Sequence, residues 1–129
     1  MRRAEFVQKM VLNEICDDFE NLDQIILPNV AKYGCKCGLT IERTEIVEAL
    51  SVLVENGLAK AYYLACKEPF STELAGMPPM DTIEEDFRTY FYATKNGLDL
   101  QGSYRSAASW PFDDEGELRC DWVPPERWA

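Results

Sequence analysis

Histidine is absent from this 129-residue chain, and with it go the commonest general base and a common metal ligand. Long apolar runs are lacking too. The longest is Ala61–Cys66, far short of the ~20 residues that cross a bilayer. The opening MRRAEF turns amphipathic at once and holds no apolar signal region, so its two arginines do not read as an export signal. Bases are scarce: 13 Lys and Arg stand against 23 Asp and Glu, a formal charge of −10. A chain of that sign repels nucleic acid and anionic membrane at long range, so either partner needs a local basic patch. The five cysteines are odd in number and lack disulfide-framework spacing, which fits a reducing compartment. The expectation is a cytoplasmic protein with no membrane contact.

What is present suffices for one domain. Hydrophobic residues make up 47 %, enough to build a core without metal or disulfide staples. Val7, Val11, Ile15 and Phe19 recur every four residues, flanked by Met10, Leu12 and Cys16, and predict a first helix over 3–19. A second helical stretch starts near Asn21 or Leu22 and carries Ile25, Ile26, Leu27, Val30 and Ala31. Pro28 inside it demands either a bend or a later start. Two glycines mark Tyr33–Gly38 as a loop. The third helix has the clearest pattern, with Ile46, Ala49, Leu50, Leu53 and Val54 on one side and Glu48 almost opposite. Thr40 or its neighbour is placed to cap it, Glu42 and Glu45 suit its positive end, and Asn56-Gly57 stops it.

Two strands follow, Leu58–Cys66 and the aromatic Arg88–Thr94, the second closing on Lys95-Asn96-Gly97. About twenty residues separate them, long for a hairpin connection, and Asp81–Phe87 within that stretch has the makings of a helical turn. From Leu100 onward no helical or alternating period survives, so 101–129 read as an extended acidic and aromatic arm on a 1–100 domain.

The stretch EALSVLVENGLAKAYYL (48–64) resembles the helix-to-wing junction of winged helix-turn-helix domains, where a leucine pair, a glycine and a leucine precede the first wing strand. FYATKNG (91–97) is similar to their returning strand. PadR-type and MarR-type transcriptional regulators carry this pattern. The resemblance spans roughly residues 4 to 100 and implies an α+β winged helix: three helices followed by a two-stranded β-wing, here with an extended C-terminal arm. Fold does not fix function.

The helix before the ribbon is the one that such domains often insert into DNA, and here it departs from that use. Glu42, Glu45, Glu48 and Glu55 face a single base, Arg43, whereas DNA readers need cations and amides there. Lys32, Lys36, Lys60, Lys67, Arg88 and Lys95 are candidate phosphate contacts if the wing and second helix gather them; otherwise they are scattered solubilising charges.

No constellation meets the needs of a catalytic site, so no enzyme and no cofactor are expected. Cys35 and Cys37, with Cys66 and Cys120 as further ligands, are the one arrangement that could attract a metal or act as a thiol pair, but the second close pair of a zinc site is missing. Three features favour a protein partner or self-association. Glu45, Glu48 and Glu55 present acids, Phe70, Met77 and Met80 give the wing loop adaptable apolar area, and Trp110, Trp122 and Trp128 interleave with acids and prolines in the arm. The tryptophans dock either on their own domain, the favoured course, or on another chain. The expected function is therefore a non-enzymatic winged-helix module that regulates through protein contacts, the alternative being a regulator that binds DNA through wing and second-helix bases.

Overall fold

The computed structural model describes residues 1–79, 83, 88–125 and 128. Among these, four α-helices and a four-stranded antiparallel sheet make an α+β fold. Chain order is α1 (Arg3–Glu14), β1 (Glu20–Asn21), α2 (Leu27–Lys36), α3 (Arg43–Glu55), β2 (Ala59–Leu64), β3 (Ser71–Glu73), β4 (Thr89–Ala93) and α4 (Lys95–Ser106). The strands lie in the order β1-β4-β2-β3.

The stripe of α1 is buried as its spacing predicts, through Phe6, Val7, Met10, Val11, Leu12 and Ile15. The helix nonetheless ends at Glu14, five residues before the predicted limit. Its C-cap, Ile15, accepts the Ala93 amide at 2.9 Å, so the end of α1 is spent on the sheet. Phe19 leaves the stripe and meets Tyr62 and Tyr92 edge-on, with ring centroids 4.9 and 5.0 Å away. Asn21 then accepts from the amides of Asp23 and Gln24 and caps a π turn over Leu22–Ile26 that runs directly into α2. Pro28 falls in the first turn of α2, directly after the π turn. The helical stretch therefore starts at Leu22, as expected, and changes from π to α geometry next to the proline.

The loop expected over Tyr33–Gly38 is a correction. Helix α2 continues to Lys36, and only Gly38, at φ 80°, turns the chain. Gly34 is a packing glycine, not a breaker: a Cβ there would stand 2.5 Å from Ile41 Cγ1. At α3 the cap is Glu42 instead of Thr40, and the Glu45 carboxylate reaches back to the Glu42 amide at 2.8 Å to complete a capping box. Ile46, Ala49, Leu50 and Leu53 are buried, Val54 only half so, and Gly57 at φ 72° ends the helix.

The sheet holds four strands where two were expected. β2 and β4 pair in register Lys60↔Tyr92 and Tyr62↔Tyr90, each strand a residue or two shorter at its ends than predicted. Part of the connecting loop is itself a strand, β3, pairing Tyr62↔Glu73 and Leu64↔Ser71. Two residues of β1 add to the far side of β4. Alternation is strict in β4: Thr89, Phe91 and Ala93 face the core, Tyr90 and Tyr92 face outward. The helical turn expected over Asp81–Phe87 lies outside the described residues except for Ile83, which is buried.

The largest correction concerns Lys95–Gly97 and the arm. These residues do not close the ribbon; they open α4. Thr94 Oγ1 accepts the Gly97 amide at 3.2 Å and donates to the Gly57 carbonyl at 2.7 Å. Gly97 lies directly against the Leu58 carbonyl, where no side chain fits. The domain boundary expected after residue 100 thus falls inside a helix. Beyond α4 the chain is irregular, apart from a bridge between Phe112 and Leu118, but it is not detached. Trp110 and Phe112 are each 5 % exposed and belong to the core. Arg119 donates to the Trp110 carbonyl at 3.0 Å, and Trp128 meets Phe6 edge-on with ring centroids 5.3 Å apart.

Candidate interaction surfaces

Helix α3 presents Glu48 and Glu55 to solvent, and its neighbouring charges are already engaged. Arg43, its one base, forms a two-pronged pair with Asp23 at 2.7 and 3.0 Å. Arg3 holds Glu45 at 2.6 Å, and that hydrogen bond keeps the Glu45 carboxyl below the usual carboxylate range. Between α1 and α3 runs a groove lined by Ala4, Val7, Gln8, Glu48, Ala49 and Val52 and closed at one end by the Arg3–Glu45 pair. The acidic helix face is therefore continuous with an apolar trough.

The six candidate phosphate contacts are spread over α2, the β2 region, the start of β4 and the head of α4. Lys36 turns to the arm, donating to the Gly116 carbonyl at 3.2 Å and lying 3.6 Å from Glu117. Lys60 pairs with Glu73 across β2 and β3 at 2.5 Å. Arg88 precedes β4 and stands 3.9 Å from the Cys66 sulfur. It and Lys60 are separated by about four strand residues, or ~13 Å. Lys32, Lys67 and Lys95 are exposed on α2, after β2 and at the head of α4.

Between β2 and β4 Phe70 is 58 % exposed, whereas Met77 and Leu74 fold back against the core. Met80 lies outside the described residues. Of the arm tryptophans, Trp110 is interior; Trp122 and Trp128 are half-buried, and Trp122 Nε1 donates to the Ser109 carbonyl at 3.2 Å. All three dock on their own chain.

The cysteines are separated by the same extension of α2 that removed the expected loop. Cys35 is in the last turn and exposed; Cys37 is the buried C-cap. Residues two apart on a helix do not share a face. Burial pushes the Cys37 thiol up to about 11, and Cys16 likewise to about 11, so neither is a thiolate near neutral pH. Among the described residues no group of three Cys, Asp or Glu side chains is arranged to hold a metal.

One cleft was not anticipated. Asp17 and Asp113–Glu115 line a cavity of about 210 Å³ together with Asn13, Tyr33, Arg105, Trp110, Phe112 and Gly116. The arm places the later acids there: Asp113 Oδ1 accepts the amides of Glu115 and Glu117, both at 2.9 Å, in a tight turn. Trp110 and Phe112 just ahead of the acidic run Asp113–Glu115 were the available signal; only their docking brings Asp17 and Tyr33 alongside. Close by, burial and then neighbouring carboxylates raise the Glu14 and Glu20 carboxyls and the Tyr33 hydroxyl above their ordinary values. For Glu14 the Asn29 hydrogen bond acts in the opposite direction.

Compared with models of known families, with curated proteins and with solved structures, the chain matches none.

Proposed function

We propose that this protein is a non-enzymatic winged-helix module that regulates through protein contacts, using the acidic face of α3 and the trough beside it to receive a basic amphipathic segment. The order α1, α2, α3 followed by the antiparallel β2–β4 pair supports the winged-helix reading, with β1 and β3 as additions at the two edges of the sheet. The observation that carries the functional reading is the charge on α3. Glu48 and Glu55 point outward while Arg43 is committed to Asp23. A helix inserted into a groove with those charges would bring carboxylates against phosphates and release no counterions. A basic segment meets the same surface with the favourable sign, and the half-buried Val52 supplies apolar contact.

Two measurements on the full chain test this reading. A labelled random-sequence duplex, followed by fluorescence anisotropy at low salt, is expected not to bind. Binding that weakens steeply with salt would overturn the proposal in favour of a DNA-binding regulator working through Lys60, Lys67, Arg88 and Lys95. Selection from a displayed random-peptide library is expected to enrich Lys- and Arg-rich sequences that no longer bind the Glu48→Lys/Glu55→Lys double variant. Enriched peptides indifferent to that double reversal would remove α3 as the docking face.

A further inference from the structure

The trough between α1 and α3 has a shape and a chemistry that narrow what lies well in it. The two helices start side by side, where Arg3 in the first turn of α1 holds Glu45 in the first turn of α3. From that closed end the trough passes Ala4 and Gln8 on one wall and Glu48 and Val52 on the other. It encloses about 240 Å³ over the buried Val7 and Ala49. Ala4 is exposed and Val52 half-buried, so small side chains edge the opening.

Beyond the first turn both walls are helix interior, where amides and carbonyls are bonded along their own helix. They offer a partner side chains only. An extended segment laid on them finds no backbone partner, whereas a helix arrives with its own amides and carbonyls already bonded. Charge then sets the spacing. Glu48 and Glu55 are seven residues apart, so they share one side of α3 with ~10.5 Å between them along its axis. Both are exposed, and neither has an ion-pair partner among the described residues. Val52 lies between them on the same side, which makes the stripe acid, apolar, acid. The next acid of that side, Glu45, is taken by Arg3, whose guanidinium repels a further cation from the closed end.

We propose that the trough receives an α-helix carrying two cations seven residues apart with one apolar side chain between them, the counterpart of Glu48, Val52 and Glu55. This rests on α3 being the docking face and adds the partner's backbone conformation and register. A helix is about 10–12 Å across with its side chains, too wide for a trough of about 240 Å³. The partner therefore lies along the rim, inserts its apolar residue beside Ala4 and Val52, and sets its cations on the two carboxylates.

Three labelled alanine-rich peptides of one composition test this against the full chain, by fluorescence anisotropy at fixed ionic strength. The first has two lysines seven apart, a leucine between them and a proline at its amino end. The second sets the lysines five apart, on different sides of the helix, and the third moves the proline to the centre. The first should bind saturably. The second should be weaker by about threefold, the loss of one exposed charge pair. The third should be weaker by more than about tenfold, because a central proline breaks the helix. Exchanging both lysines of the first for glutamates should abolish binding to the parent chain and restore it on Glu48→Lys/Glu55→Lys. Equal affinities of the three peptides would overturn the helical partner, and so would failure of all three to bind. The docking face itself falls on a different result, selected basic peptides that ignore the double reversal.

Discussion

Truncating Trp110 to alanine isolates the claim that the arm is part of the core. The side chain is 5 % exposed, packs edge-on to Phe112 and is held by neighbours on both sides of the chain reversal, including Arg119. A buried Trp→Ala change costs about 3–5 kcal/mol, because the lost transfer energy is compounded by the cavity left behind. Unfolding entropy near 2.1 cal/mol/K per residue, applied to 129 residues, gives about 0.27 kcal/mol per degree at the midpoint. The melting temperature should therefore fall by about 11–18 °C. Circular dichroism at 222 nm, paired with calorimetry to confirm one cooperative transition, reads this directly. Val123→Ala, 80 % exposed on the same arm, is the matched control and should stay within about 2 °C of the parent. A Trp110→Ala protein melting within about 3 °C of the parent would refute cis docking and return the arm to the status of a detached segment.

Gly97→Ala should be destabilising by more than about 2 kcal/mol although alanine is the better helix former, because its Cβ would stand on the Leu58 carbonyl; an unchanged urea midpoint would contradict that approach. Glu14→Gln should stabilise the protein at pH 7 and not at pH 4. Burial raises the Glu14 carboxyl above its ordinary value in the fold, so the stability it contributes is present while it is protonated and is lost as pH rises through the folded value. Glutamine imitates the protonated form and still accepts from Asn29, which bonds Glu14 Oε2 at 2.9 Å. Equal melting shifts at the two pH values would show that the carboxyl is not perturbed.

Local patterns in the sequence were legible wherever one stripe met one core. The Ile46–Leu53 face, the Asn56-Gly57 stop and the aromatic β4 all read correctly because the burial they imply is nearly complete. Helix α4 was illegible for the opposite reason: only Gly97 and Gln101 on it are buried, and its start depends on Thr94 reaching back to Gly57, thirty-seven residues away in sequence. The loop read over Tyr33–Gly38 misjudged Gly34, whose smallness answers Ile41 and not a turn. Two residues of β1 carry no periodicity at all; they become a strand only because β4 offers an edge. On the candidate surfaces, the acids of α3 were visible in order and sign. The aromatic and acidic cleft was not, since its parts come from positions near 17, 33 and 110 that meet only on docking.

The docking of Trp110 onto helices near the amino end has a consequence during synthesis. Phe6 and Tyr33 emerge from the ribosome far ahead of the rings that cover them: Phe112 for Tyr33, Trp128 for Phe6. At ordinary translation rates of about 5–20 residues per second, the interval of roughly 120 residues between Phe6 and Trp128 lasts about 6–24 s. Throughout it the nascent chain carries an incomplete apolar face, and a message cut short before residue 110 would yield a product in which that face is never closed. Such a fragment is a natural substrate for chaperones and proteases, so this architecture makes completion of the chain a condition for its survival.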